Sequence, residues 1–303
     1  MKRPGPLTSA NVWKVQGGHA PRVEADSLAT EEPMEIRIEH GPRGQRETTS
    51  LSVTMRTPGN DFELAAGFLF TEGIVASPRD IGRIEYCIDA TIPQEYNIVS
   101  VVLRPQIDVR VDRVSRHFYM SSSCGVCGKT ALEAVRVAVR HPMPEDAPAI
   151  DPSTIGDIPG RLREAQTWFG ETGGLHAAGL FDAAGKPHAV REDVGRHNAV
   201  DKVVGEAFLN RRTPLHHDVL GVSGRASFEI LQKAAVAGVP FVVAVGAPSS
   251  LAVAIAEEFG MTLVGFARDD RFNVYAGPRR TRGLSIDDVR PARPRAVGNR
   301  PEH

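Results

Sequence analysis

Charge imbalance is nearly absent from this 303-residue chain: 36 Lys and Arg stand against 37 Asp and Glu, a formal net charge of -1. That balance leaves bulk nucleic-acid binding without an electrostatic footprint. Long apolar runs are missing too. No stretch approaches the roughly 18 consecutive apolar residues of a membrane span, and Met1-Lys2-Arg3-Pro4-Gly5-Pro6 leads into no apolar signal region. The expectation is a soluble, cytoplasmic protein with no membrane association. Cysteine is scarce, three in all, and an odd number in a chain of this length argues against a disulfide framework. Thiol chemistry or a metal is left for them. No internal repeat at solenoid spacing is present.

What is there divides into a middle and two ends. The first 25 residues mix Pro, Gly and charge without periodicity, and residues 281–303 are rich in Arg and Pro; both read as flexible tails. Residues 34–39 and 51–55 alternate as strands around a turn at 41–44, a hairpin signal. A helical pattern begins at Asn60 or Asp61 and stops at Gly73. Strand-like runs at 98–103 and 107–111 complete a small α+β unit over residues 26–115, in which Cys87 reads as a buried structural thiol. Beyond it, residues 129–140 form a helical pattern. Three apolar runs, at 219–222, 241–245 and 262–266, are separated by helical patterns at 228–237 and 251–259. Strands alternating with helices of that length give βαβ units and a mostly parallel sheet.

Three constellations carry possible chemistry. In Ser121-Ser122-Ser123-Cys124-Gly125-Val126-Cys127-Gly128, two cysteines lie three apart at the start of a helix, where unpaired N–H groups and the helix dipole favour a thiolate. The spacing fits half a zinc site, a redox dithiol, a persulfide carrier or a plain turn. Zinc lacks a second Cys-x-x-Cys, and a zinc base deaminase needs His-x-Glu upstream of Pro-Cys-x-x-Cys. Here His176 lies downstream, is followed by Ala177-Ala178, and Ser123 precedes Cys124. The second constellation joins Thr172-Gly173-Gly174-Leu175-His176 to Arg191-Glu192-Asp193-Val194-Gly195-Arg196-His197-Asn198, which concentrates charge where a helix at 198–208 begins. His176, Arg191 and His197 are candidates without an assigned role, and Asp193 fits a helix N-cap. Third, the loops at 222–227 and 246–250 join strand ends to helix starts, with Ser227 and Ser249 placed to cap. Together with the strand end at 266–271 they suggest a phosphate or nucleotide pocket at the carboxyl ends of an α/β sheet, without P-loop or dinucleotide spacing.

Five strings in order resemble the formate dehydrogenase accessory sulfurtransferase family, FdhD. They are Ser-Ser-Cys-Gly-Val-Cys-Gly at 122–128, Thr-Gly-Gly-Leu-His-Ala-Ala-Gly at 172–179, Glu-Asp-Val-Gly-Arg-His-Asn-Ala-Val-Asp-Lys at 192–202, Val-Ser-Gly-Arg-Ala-Ser at 222–227, and Gly-Phe-Ala-Arg-Asp-Asp-Arg-Phe-Asn at 265–273. The resemblance spans roughly residues 30–280. It implies an α/β protein in which a cytidine-deaminase-like layered domain, residues 116–280, carries the Cys-x-x-Cys loop beside the smaller N-terminal α+β domain. It also implies a sulfurtransferase that takes persulfide sulfur from a cysteine desulfurase. The sulfur passes to the molybdenum cofactor, as bis(molybdopterin guanine dinucleotide), before that cofactor serves formate dehydrogenase. Cys124 matches the persulfide cysteine and Cys127 its partner; Phe266, Ala267, Arg268, Asp269, Asp270 and Arg271 match the cofactor-binding segment. A homodimer with no permanently bound metal is implied as well. The alternative of another class is a cofactor-binding chaperone without thiol chemistry, and a zinc hydrolase is the third reading.

Overall fold

The computed structural model describes residues 3–87, 94–107, 135–136 and 138–284. Three sheets organise them. A two-stranded antiparallel ribbon is made by β1 (Leu7–Lys14) and β2 (Arg22–Ala29), paired from Leu7 with Ala29 to Lys14 with Arg22. This is a correction, because most of it lies within the 25 residues expected as a flexible tail. The ribbon lacks a buried apolar face, and Trp13 and Val23 stay exposed, so hydrophobic periodicity gave it no signal. Cross-strand hydrogen bonding holds it instead.

The second sheet follows the expected hairpin. β3 (Glu32–His40) and β4 (Glu47–Arg56) pair antiparallel. β6 (Ile98–Leu103) joins β3 in parallel, and β5 (Ile81–Tyr86) closes the far edge, giving the order β4-β3-β6-β5. Alternate residues Met34, Ile36 and Ile38 of β3, with Val99, Val101 and Leu103 of β6, bury one face, as a period of two requires. Helix α1 (Asp61–Thr71) lies on that face and is capped at Asn60 as expected, though by backbone geometry and without a side-chain bond. Cys87, expected as buried, is only half-buried. Most of the strand expected at 107–111 and of the helix expected at 129–140 falls outside the described residues. Of that helix, residues 135, 136 and 138 are described as helical, and Val135 is buried in the core.

The third sheet has six strands in the order β12-β11-β10-β9-β7-β8. Its centre is the expected parallel set: β9 (Val219–Val222), β10 (Phe241–Ala244) and β11 (Thr262–Arg268), linked by α5 (Phe228–Ala237) and α6 (Ser250–Glu258). β7 (His176–Phe181) runs antiparallel to β9, β8 (Pro187–Asp193) antiparallel to β7, and β12 (Arg271–Ala276) antiparallel to β11. Central strands buried on both faces read as continuous apolar runs, which is why their positions were legible. On one face α2 (Pro152–Glu164) seats Ile155, Ile158 and Leu162 against Phe181, Val219, Phe241 and Val264. On the other lie α4 (Arg196–Leu209), α5 and α6. The architecture is mixed α/β. The C-terminal stretch expected as a tail from residue 281 begins ordered: Thr281 is buried and bridges Ile150, while residues 285–303 lie outside the description.

Helices α1 and α4 join the two larger sheets, and their backbones nearly touch. A Cβ on Gly67 would stand 1.9 Å from the Asp201 carbonyl oxygen, and one on Gly205 1.9 Å from that of Glu63. Only glycine at both positions permits this approach. Gly67→Ala or Gly205→Ala is expected to destabilise the fold by about 1–3 kcal/mol or more through overpacking. Equilibrium denaturation checks this, and an unchanged midpoint contradicts the crossing.

Candidate functional site

The carboxyl ends of β9, β10 and β11 and the start of antiparallel β7 lie on one edge of the six-stranded sheet. A cavity of about 600 Å³ opens there, lined among others by Arg163, Phe169, His176, Ser223, Val245 and Arg268. The loops leaving the strands are zipped together by backbone bonds: Ser223 N donates to Ala177 O at 3.0 Å, Gly246 N to Gly224 O at 3.0 Å, and Phe266 N to Gly246 O at 3.2 Å. The Ser223 hydroxyl accepts from Ala177 N at 2.8 Å. The loop expected to bind a phosphate is thus held rigid by its own neighbours.

Of the six residues assigned to the cofactor segment, Ala267, Arg268 and Asp269 line the cavity. Asp269 and Asp270 form the turn between β11 and β12, with Arg268 paired to Arg271 across it. The Asp269 carbonyl packs so closely on Gly156 of α2 that a Cβ there would lie 1.8 Å away. Phe266 sits in a register irregularity with a φ of 53° and is 46% exposed. A left-handed aromatic residue is strained, and such strain gathers at functional sites. Cys124 and Cys127 lie outside the described residues.

The second constellation divides. Arg191 turns away from the cavity into a bidentate pair with Glu63 of α1, at 2.5 and 2.8 Å. Glu192 binds the segment before α3 (Phe169–Thr172): its carboxylate accepts from the N–H groups of Thr167, Trp168 and Phe169 at 2.8, 2.9 and 2.8 Å. Asp193, expected as an N-cap, is not one in the strict sense, because Gly195 holds that position. Its carboxylate still gathers the helix start, accepting from Gly195 N at 2.8 Å and from Asn198 Nδ2 at 3.0 Å. Opposite it, Lys202 Nζ approaches to 2.7 Å, the two side chains being 2% and 0% exposed.

His176 lines the cavity, and Arg196 is close enough to lower its proton affinity. Burial contributes the larger part, so His176 titrates below the ordinary histidine range. His197 is pushed down to about 4, first by burial and then by Arg196. Its Nε2 lies 3.2 Å from Ser227 Oγ and 3.7 Å from Glu229 Oε2. Ser227 therefore serves the histidine rather than capping α5, while Ser249 caps α6 as expected, accepting from Ala252 N at 3.2 Å. The Arg196 Nε is buried without a hydrogen-bond partner among the described residues. The arginines at 163 and 268, both on the cavity wall, suit a bound anion. Sequence reasoning missed Arg163, Phe169 and the clamp by Glu192. The dense charge at 191–197 was the available signal, but which acid faced which backbone was not in it.

The FdhD/NarQ family model matches residues 29–282. The chain belongs to the FdhD/NarQ family. It is 51% identical over 258 residues to "Sulfur carrier protein FdhD" of Streptomyces coelicolor, covering 84% of this chain and 89% of that one. The protein of the same name from Mycobacterium tuberculosis is 50% identical over 255 residues, with 82% and 90% covered. That of Thermoplasma acidophilum is 45% identical over 256 residues, with 84% and 87% covered. The crystal structure of a formate dehydrogenase accessory protein from Desulfotalea psychrophila superposes with a TM-score of 0.68 at 25% identity, covering 91% of this chain and 99% of that one. The expected family resemblance is thereby established, and the matched span leaves the β1–β2 ribbon almost wholly outside it.

Two outcomes test the site's electrostatics. Since His197 is held near 4 in the fold against an ordinary 6.5, the unfolded chain binds the extra proton first as pH falls. Stability from this group is full above pH 6.5 and is lost toward pH 4; His197→Gln should flatten that part of the pH–stability curve, and an unchanged curve would contradict the assignment. Lys202→Met leaves the buried Asp193 charge unpaired and should cost about 3–5 kcal/mol in denaturant unfolding.

Proposed function

We propose that this protein is a sulfur carrier for formate dehydrogenase maturation. The observation that carries the reading is its near 50% identity over most of its length to proteins named as sulfur carriers, in a chain that holds Cys124 and Cys127 three residues apart. In the proposed first step the Cys124 thiolate attacks the outer sulfur of a cysteine desulfurase's persulfide. The donor's S–S bond breaks, the donor leaves as a thiolate, and Cys124 holds the persulfide. In the second, the Cys127 thiolate attacks the Cys124 sulfur and hydrosulfide departs, leaving a Cys124–Cys127 disulfide for a cellular thiol to reduce. The two electrons that convert sulfane sulfur to sulfide come from the cysteine pair, so the step balances.

The acceptor substrate is the molybdenum cofactor in its bis(molybdopterin guanine dinucleotide) form, whose metal takes the sulfur. Its phosphates suit Arg163 and Arg268, which both line the cavity at the strand ends and support that cavity as its seat. The residues at 266–271 would then hold it through Ala267, Arg268 and Asp269. The same reading makes the protein a cytoplasmic homodimer with a cytidine-deaminase-like layering of its larger unit. Among the described residues no helix is long and apolar enough to cross a membrane.

Incubation with a cysteine desulfurase and cysteine should add the mass of one sulfur atom to the peptide bearing Cys124, and Cys124→Ala should abolish both that adduct and the maturation of formate dehydrogenase. Full maturation by Cys124→Ala would refute sulfur carriage and favour a cofactor chaperone.

A further inference from the structure

The cavity wall between α2 and β7 is a strap, residues 166–174, built around the single turn α3. Gln166, Phe169, Gly173 and Gly174 all face the cavity. One carboxylate holds it. Glu192, at the end of β8, receives three consecutive backbone N–H groups, two on Oε2 from Thr167 and Trp168 and one on Oε1 from Phe169, with Gln166 Nε2 at 3.4 Å. Three charge-assisted bonds to one anion are a strong local restraint. Downstream, Thr172 Oγ1 donates to Trp168 O at 3.1 Å and accepts from Gly174 N at 3.2 Å, which closes the strap on itself before β7 begins.

The restraint fixes a recognition element. Arg163 of α2 lies with its guanidinium carbon 3.9 Å from the centroid of the Phe169 ring, and both residues line the cavity. The position of Phe169 sets the position of that stacked pair, and the pair presents a flat cationic surface beside Arg268. A planar base with an attached phosphate is the ligand chemistry that such a surface fits. Glu192 itself does not line the cavity.

We infer that Glu192 is a positioning residue: by clamping the 166–174 strap it sets the Phe169–Arg163 wall that selects a nucleotide-bearing ligand. The inference rests on the cofactor reading of the cavity. Its neighbour Asp193 serves the fold through Lys202, so adjacent acids divide the work, one holding the helix start and the other the binding wall.

Glu192→Gln keeps the size of the side chain but presents an NH₂ group to N–H donors. The probe is guanosine diphosphate, titrated calorimetrically against the full chain, with amide exchange at 167–169 followed by mass spectrometry. The variant should keep its unfolding midpoint, exchange faster at those three amides, and bind guanosine diphosphate about tenfold more weakly, the equivalent of one charge-assisted hydrogen bond. Wild-type affinity in the variant overturns the inference, whether or not the strap loosens, and so does weakened binding with unchanged strap exchange. A wild-type protein that takes up no guanosine diphosphate overturns the cofactor reading and this inference with it. A midpoint that falls sharply assigns Glu192 to the fold and overturns a role confined to the binding wall.

Discussion

The ion pair between Lys202 and Asp193 is the contact on which the rest of the arrangement depends. Both side chains are removed from water, and the desolvation cost of such a pair is offset only if every remaining polar site is used. Here they are. Lys202 also donates to Thr57 O at 2.8 Å and Glu192 O at 3.2 Å, while Asp193 accepts from Thr57 N at 3.2 Å. Because Thr57 follows β4 directly, the pair binds the exit of the small sheet to β8 and α4 of the large one. Asn198 adds a bond to Met55 O at 2.8 Å, and Val194 N donates to Thr57 Oγ1 at 3.1 Å.

A second buried cluster, at the C-terminal end of α1, secures the same junction. Lys233 of α5 reaches Asp201 of α4 at 3.0 Å and Glu72, just past α1, at 3.2 Å, and Thr71 Oγ1 donates to Asp201 at 2.8 Å. Burial raises Asp201 to about 6, and the lysine holds its charge against the same burial because two acids surround it. Between these clusters the glycine crossing of α1 and α4 leaves no room for side chains. The hydrophobic core consequently runs without a break from the small sheet into one face of the large sheet, and the helix that carries Arg196 and His197 cannot shift alone.

Rigidity at that helix start has a chemical consequence. Any ligand held by fixed hydrogen-bond donors is bound best when they are oriented before it arrives, since ordering them on binding would weaken it. The strand-end loops are cross-bonded, Arg196 is left with an unsatisfied donor, and both histidines are kept uncharged by burial and by Arg196. An open α/β sheet collects its ligands at the carboxyl ends of its strands because the loops diverge there, and this edge is where the downstream motifs meet.

By itself the sequence determined the parallel strands, read at 219–222, 241–245 and 262–266, the helices between them, the β3–β4 hairpin and α1. In each, hydrophobic period or an uninterrupted apolar run is a local property of the chain. It also carried the family, through ordered motifs, and marked Cys124 and Cys127. Tertiary structure alone decided the roles inside the charged string at 191–202. Arg191 goes to α1, Glu192 to a strap some 25 residues earlier, Asp193 to Lys202, and His197 to Ser227. These are contacts between side chains and backbone groups distant in sequence, and no spacing rule encodes them. The β1–β2 ribbon escaped for a related reason: its stability resides in cross-strand bonds and not in an apolar pattern that could be read along the chain.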